Sequence, residues 1–356
     1  MPFRSNMVAQ QNFAVGIMRG EMAILVLGGA GYIGSHTARA LRRSGYDVVL
    51  YDNLCTGFRR LAQGFELVEG DIADAARLRP VLARVDAVMH FAAHAYVGES
   101  VDNPRKYFSN NVLGALSLLN SALDAGIRRI VFSSTCAVYG VPDQMPISEL
   151  AHREPVNPYG ASKLFFENAL AAYAHAYGLR SVRLRYFNAA GADESGEIGE
   201  LHDPESHLIP LALAAASEDG AELQVHGCDY PTPDGTCVRD YIHVSDLADA
   251  HVRALQYLEG SGDDKSSGGQ GGDSLAVNLG TGRGHSVLEV IQAVESAAGR
   301  PVRRRMAPRR LGDPPILVAD PARAKSVLGW TAQRNFSDIV SSAWRWKNKM
   351  RLRPAA

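Results

Sequence analysis

Apolar residues in this chain fall into short unbroken runs, each closed by glycine, an acid or small polar residues. Ala23–Leu27 is the first, with the length and uniform apolarity of a parallel strand buried on both faces. A glycine-rich turn follows, then a helical pattern over 35–43, a stop at Gly45 and a second run over 47–51 that ends at Asp52. Further runs at 65–68, 85–91, 129–132 and 181–186 close on Gly70-Asp71-Ile72, Ala92-Ala93, Ser133-Ser134-Thr135 and Phe187-Asn188. Strands alternating with helical patterns predict an α/β fold, a doubly wound parallel sheet of the Rossmann kind.

The later third is less regular. It predicts a helix over 208–216, a strand at Leu223–His226, a run from Val238 into a helix near 246–258, an apolar run at 275–279, an amphipathic helix at Val287–Ala298 and two helices within 321–347. The reading is a dinucleotide-binding domain over 22–188 and a smaller, mainly substrate-binding α/β domain over 189–350. Segments near 239–258 and 275–281 are expected to return to the first. Residues 1–21 read as a disordered extension or an over-long start, and 260–274, rich in Gly, Ser and Asp, as a dispensable flexible loop.

Composition narrows the classes. The chain has 356 residues, 46% apolar and 21% charged, with a net charge of -1. That balance offers no field for nucleic acid or an anionic membrane surface. No apolar run reaches the roughly 18 residues of a membrane span. Cys55, Cys136, Cys228 and Cys237 are scattered, which reads as free thiols in a reducing compartment, the cytoplasm. The basic run Arg303-Arg304-Arg305 with Arg309-Arg310 is ordinary solvated surface unless a pocket lies beside it, where it could grip a diphosphate.

The glycine turn carries the first chemistry. Gly28, Gly31 and Gly34 satisfy G-x-x-G-x-x-G, and Gly29, Gly31 and Gly34 satisfy G-x-G-x-x-G. Such glycines allow a tight turn, close backbone approach to a pyrophosphate and close packing of helix on strand. The following helix N-terminus adds N–H donors and positive potential. Asp52 comes 18 residues after Gly34, where a carboxylate suits the ribose hydroxyls of NAD and repels the extra phosphate of NADP.

Ligands of doubly wound sheets bind beyond the carboxyl ends of strands. Asp71, Phe91, Ala92, Ser133, Thr135 and Asn188 are candidates by that rule. His90 and His94 are four apart but straddle a strand and a loop, so no metal is expected there. Tyr159 and Lys163 lie in Asn157-Pro158-Tyr159-Gly160-Ala161-Ser162-Lys163, and a helix beginning at the proline would set them on one face. Tyr-x-x-x-Lys alone also describes many amphipathic helices. The glycine turn and Thr135 give it weight.

Taken together these motifs resemble the extended short-chain dehydrogenases/reductases. Within them the chain is similar, over roughly 22–347, to the nucleotide-sugar 4-epimerases that interconvert UDP-glucose and UDP-galactose. Asp52-Asn53-Leu54, His90-Phe91-Ala92-Ala93, Val97-Gly98-Glu99-Ser100, Asn110-Asn111-Val112, Leu184-Arg185-Tyr186-Phe187-Asn188 and Val238-Arg239-Asp240-Tyr241-Ile242-His243 also carry the likeness. The resemblance implies bound NAD, contacted by Tyr32, Ile33, Asp52, Asn53, Asp71, Ile72, Phe91, Ala92, Asn110, Lys163 and Phe187. It implies a UDP-sugar near Asn188, His207, Leu208, Gln224, Val225, His226, Arg239, Arg310 and Asp313. It implies Tyr159 as acid/base, helped by Thr135, with Lys163 and the charged nicotinamide lowering the Tyr159 pKa by roughly 3 units.

Three positions depart from the family pattern. Ala95 stands where a cofactor-contacting lysine is frequent, His207 where an asparagine often binds the diphosphate, and His226 where an aromatic often packs on uracil. Leu317 matches a position that limits sugar size, which implies preference for plain hexoses over N-acetyl sugars. Cys136, Tyr96 and Pro142 resemble relatives acting on UDP-xylose and UDP-arabinose, so the pentose reaction is the alternative, with N-acetylhexosamines another. A dehydratase needs an acid/base pair after the threonine, which Cys136-Ala137 does not supply. A non-enzymatic NAD sensor would have no use for Tyr159, Lys163 and Thr135 together. The family commonly dimerises through two helices per subunit, here about 104–124 and 159–178.

Overall fold

The structure, a computed structural model, describes residues 22–260, 274–310 and 313–352. The expected extension at 1–21 and residues 261–273 of the expected 260–274 loop lie outside the described residues, while Gly260 closes a helix and Ser274 opens a strand. Seven parallel strands form the main sheet. In chain order the first six are β1 (Ala23–Leu27), β2 (Asp47–Asp52), β3 (Glu66–Glu69), β4 (Ala87–His90), β5 (Arg129–Thr135) and β6 (Arg180–Tyr186). Across the sheet they run β3-β2-β1-β4-β5-β6, and the Ser274–Leu279 strand completes the edge beside β6. Strand order reverses between β1 and β4, which opens a crevice above their carboxyl ends.

The apolar run of β1 explains the layers. Successive side chains point to opposite faces. Ile24 and Val26 enter one core with Ala38 and Leu41 of the Tyr32–Arg43 helix and Leu247, Ala248 and Leu255 of the Val244–Gly260 helix. Leu25 and Leu27 enter the other with Leu118 and Leu119 of the Ala115–Asp124 helix and Phe166 and Leu170 of the Pro158–Tyr177 helix. The first helix starts at Tyr32, three residues before the expected Ser35, because the glycine turn runs straight into it.

A second sheet is built on Val238–His243. It pairs with Asn188–Ala190, Gly284–Ser286 and Ile316–Leu317. The segment near 239–258 divides: the apolar face of its helix joins the first core, while its strand pairs inside the second layer. Leu223–His226 pairs with Arg304–Ala307 in a separate ribbon. Between the Pro104–Tyr107 and Ala115–Asp124 helices the chain makes a π-helical stretch, Phe108–Gly114, a form often found at functional sites.

Candidate active site

The end of β5 and one face of the Pro158–Tyr177 helix meet residue against residue. Asn157 caps that helix by accepting a 2.8 Å bond from the Gly160 N–H, Pro158 occupies its first position, and Gly178 at φ 67° ends it. Tyr159, Lys163 and Glu167 recur every four residues and so share a face. Lys163 Nζ donates to the Ser133 carbonyl oxygen at 2.8 Å. Ser134 Oγ donates to Glu167 Oε1 at 2.5 Å. Thr135 lies beside the Tyr159 phenol and favours its ionised form, while its Oγ1 accepts from the Ala137 N–H at 3.1 Å.

Burial sets the charges. It pushes the Tyr159 phenol up to about 12, with Thr135 opposing, and pulls the Lys163 ammonium down to about 7, with Glu167 opposing. Among the protein's own groups burial outweighs the lysine at the phenol, and the expected lowering rests on Lys163 together with the charged nicotinamide. Lys163 Nζ lies 5.9 Å from the Tyr159 ring centre and nearer, at 4.9 Å, to that of Phe132. Removing both groups from water disfavours both charged forms, and the ammonium is committed to a carbonyl.

Glu167 and its partner were not found by sequence reasoning. Glu167 is fully buried, and Arg185 grips it with bonds of 2.8 and 2.5 Å. Burial opposes ionisation of Glu167, but Arg185 and Ser134 outweigh it and hold the carboxyl below its usual range. Arg185 also donates to the Tyr139 hydroxyl at 2.9 Å, which in turn donates to Asn278 Oδ1 at 2.6 Å. Asp240 was missed as well. Its buried carboxylate accepts from the backbone of Thr281, Gly282 and Ala319, latching loops of the two sheets together.

At the other wall, Gly28 takes φ 75°, and a Cβ there would sit 2.7 Å from the Ala92 nitrogen. A Cβ on Gly34 would collide with the Gly28 carbonyl oxygen. Gly31 caps the Tyr32–Arg43 helix without any side-chain bond. Asp52, at the end of β2, accepts from Ala30 N at 2.9 Å and Leu54 N at 2.8 Å, while burial raises its pKa. Asn53 Nδ2 donates to Asp71 Oδ2 at 2.8 Å. Tyr32 donates to the Gly191 carbonyl at 2.7 Å, Ile33 packs on the first core, and the Phe91 ring lies 4.7 Å from that of His251. Ile72 is buried beneath Gly114 of the π-helical stretch, where Asn110 donates to Asn111 at 2.9 Å.

The remaining candidates separate into groups. Phe187, Leu317 and Cys136 share one small apolar cluster. Leu317 stands opposite Arg239 in register, and Arg239 bonds Asp313 and the Pro314 carbonyl. Asn188 begins the strand beside Val238–His243. Gln224, Val225 and His226 lie on the two-stranded ribbon. The Val225 side chain is core, which leaves only its backbone for a ligand. His226 Nδ1 meets the Pro308 carbonyl at 3.3 Å. The Arg310 carbonyl accepts from Asp313 N at 3.3 Å, while Arg304, Arg305 and Arg309 pair with Glu295, Glu222 and Asp229. Leu208 opens the Leu208–Ser217 helix, and His207 before it bonds Glu205 at 2.9 Å. His90 and His94 go separate ways, one against Phe132 and Phe166, the other against Tyr107.

A crevice at the strand-order reversal, walled by a glycine turn and a Tyr/Lys helix, defines a class. Residues 24–266 match the family model described as "NAD dependent epimerase/dehydratase family", and the chain belongs to that family. More narrowly, it is similar to UDP-glucose 4-epimerases. It is 52% identical to that of Rhizobium meliloti (strain 1021) over 92% of this chain and 97% of that protein. The crystal structure of the Brucella ovis UDP-glucose 4-epimerase with NAD superposes with a TM-score of 0.85 at 51% identity, covering 91% of this chain and 97% of that one. The Stenotrophomonas maltophila enzyme, solved with NAD and formylated UDP-arabinopyranose, gives 0.86 at 43% identity, covering 93% and 99%.

Proposed function

We propose that this protein is an NAD-dependent isomerase that interconverts UDP-glucose and UDP-galactose at sugar carbon 4. The observation that carries the reading is the convergence of Thr135, Tyr159 and Lys163 where β5 meets the Pro158–Tyr177 helix. The residues fit NAD. The glycine turn has no room for side chains, the uncapped helix start leaves N–H groups for a pyrophosphate, and Asp52 sits where a ribose would be read. Gly28, Gly31, Tyr32, Ile33, Gly34, Asp52, Asn53, Asp71, Ile72, Phe91, Ala92, Asn110, Ser133, Tyr159, Lys163 and Phe187 would hold it. When bound, NAD supplies the reversible oxidation of carbon 4.

Tyr159 takes the proton from the 4-hydroxyl and later returns it, and Thr135 orients the reacting oxygen. Lys163, fixed by Ser133, holds the cofactor ribose. With the phenol pushed up to about 12 by burial, a bound positive ring is what would poise Tyr159 as a base. The 4-keto sugar must then turn about its diphosphate link to present its other face. Asn188, His207, Leu208, Gln224, the Val225 backbone, His226, Arg239, Arg310 and Asp313 would keep the nucleotide in place meanwhile. Incubation with UDP-galactose should yield UDP-glucose with no added cofactor, and no conversion would end the reading.

A pentose reading is the second, because the relative from S. maltophila is solved with a UDP-arabinopyranose derivative. For the assembly we propose a homodimer through helices spanning 104–124 and Pro158–Tyr177, where Phe108, Leu113, Phe165 and Tyr177 are exposed. Light scattering checks it. We place the protein in the cytoplasm on its four free cysteines. Among the described residues no helix is long and apolar enough to cross a membrane.

A further inference from the structure

The segment between the Asn188–Ala190 strand and the Leu208–Ser217 helix gathers four metal-ligating side chains. Glu200, His202, Glu205 and His207 bring one ligand atom each to within 4.8 Å of all the others. His202 Nδ1 lies 3.5 Å from Glu200 Oε1 and 3.5 Å from Glu205 Oε2. His207 Nδ1 lies 3.1 Å from Glu200 Oε1 and 2.9 Å from Glu205 Oε1. An ion with bonds of about 2.0–2.1 Å in tetrahedral geometry would hold its ligands about 3.3–3.4 Å apart. The separations bracket that edge.

Two further observations point to a cation. His202 Nδ1 is buried and makes no hydrogen bond, although it faces two carboxylates. A buried ring nitrogen without a partner calls for an explanation, and an ion is one. Glu200, whose side chain is 7% exposed, brings a carboxylate inside the protein, where charge is tolerated when paired or metal-bound. Two carboxylates and two neutral imidazoles balance a divalent ion. Tyr32 and Tyr96 close over the cluster, with ring centres 6.1 Å from that of His202.

We propose that Glu200, His202, Glu205 and His207 form a binding site for a divalent transition ion of the zinc class. Imidazole and carboxylate donors in this number suit such an ion, and the fourfold protein ligation makes the site structural. It pins the 191–206 loop to the start of the Leu208–Ser217 helix and fixes the His207 ring through its Nδ1. The inference does not depend on the identity of the sugar.

The test uses the full chain, treated with EDTA, dialysed and titrated with zinc chloride in competition with a chromophoric chelator. One equivalent should bind, and Zn²⁺ should raise the melting temperature. His202→Asn and Glu205→Gln each remove a direct ligand and should weaken binding by on the order of 100-fold or more, at or beyond the top of the range for loss of a group that only supports a ligand. Glu205→Gln keeps an oxygen for the backbone N–H groups of Ser206 and His207, so its fold should survive. Absence of saturable binding would overturn the proposal, because the cluster would then be closed by protons alone. So would binding indifferent to both substitutions, which would place the ion elsewhere, for example at the exposed Cys55 or Cys228.

Discussion

Lys163 donates its hydrogen bond to the Ser133 carbonyl oxygen, 2.8 Å away, and so is tied to the strand end and not to Tyr159. The lysine is therefore a fixed post beside the phenol, and the side chain that favours the ionised phenol is Thr135. Tyr159→Phe removes only that oxygen. It should retain the fold and bound NAD while turnover falls by about 10²–10⁴-fold, the usual worth of a general acid/base. Epimerisation and cofactor content are measured on the same sample. Near-normal turnover would remove Tyr159 from the chemistry.

Glu167 and Arg185 stand beneath this site as a buried, two-bonded ion pair. Arg185→Met should leave the buried carboxylate with only the Ser134 hydroxyl and Arg153, 3.7 Å away, and destabilise the protein by up to about 3–5 kcal/mol in urea unfolding. Lys163 would keep Glu167 as a neighbour, so surviving protein should still hold NAD. A change in stability below about 1 kcal/mol would mean that the pair is replaceable by packing alone.

What the sequence made legible was local. The apolar run of β1, the glycine turn, the acid closing β2 and the proline before Tyr159 each act within a few residues, so periodicity and spacing reveal them. The Glu167–Arg185 pair joins a helix to a strand 18 residues on, and Asp240 serves backbone groups about 40 and 80 residues away. Their partners are set by sheet order, which no local pattern carries. The same holds for the pKa of Tyr159. Spacing says that a lysine is near, but burial decides which charged forms survive. The Phe108–Gly114 π turn has no sequence signal that was read, and the Glu200–His207 cluster needs a loop to fold back on a helix start.

Four buried histidines predict the acid limit of the fold. Burial lowers His36 and His251 to about 4 and His90 and His243 to about 3. Their folded pKa values lie below the unfolded value near 6.5, so the unfolded chain binds more protons as pH falls. The stabilisation is complete above pH 6.5 and declines below it. Each histidine costs about 1.4 kcal/mol per pH unit, or about 2 kcal/mol by pH 5, and four together rival the roughly 5–15 kcal/mol of a whole domain. Urea midpoints should fall steeply between pH 7 and 5. A flat profile would mean that these rings take up protons without unfolding.

The sugar pocket gives the last prediction. Leu317, 9% exposed, packs with Cys136 and Phe187, close to where Thr135 ends β5. We propose that Leu317 faces the sugar, where its apolar branch would give an acetamido group no hydrogen-bond partner. Desolvating that group unpaired costs about 1–3 kcal/mol. UDP-glucose and UDP-galactose should therefore exceed their N-acetyl counterparts in kcat/KM by about tenfold or more. Leu317→Ala should narrow the gap by admitting water to the acetamido group, and Leu317→Tyr should widen it by filling the space. A pentose lacks the exocyclic carbon and fits wherever a hexose does, so UDP-xylose is measured beside UDP-galactose and UDP-N-acetylgalactosamine on one preparation. Equal efficiency with the N-acetyl sugar would refute the argument from Leu317. A higher kcat/KM for UDP-xylose would transfer the primary activity to the pentose reaction, with the same Tyr159, Thr135 and Lys163 performing it.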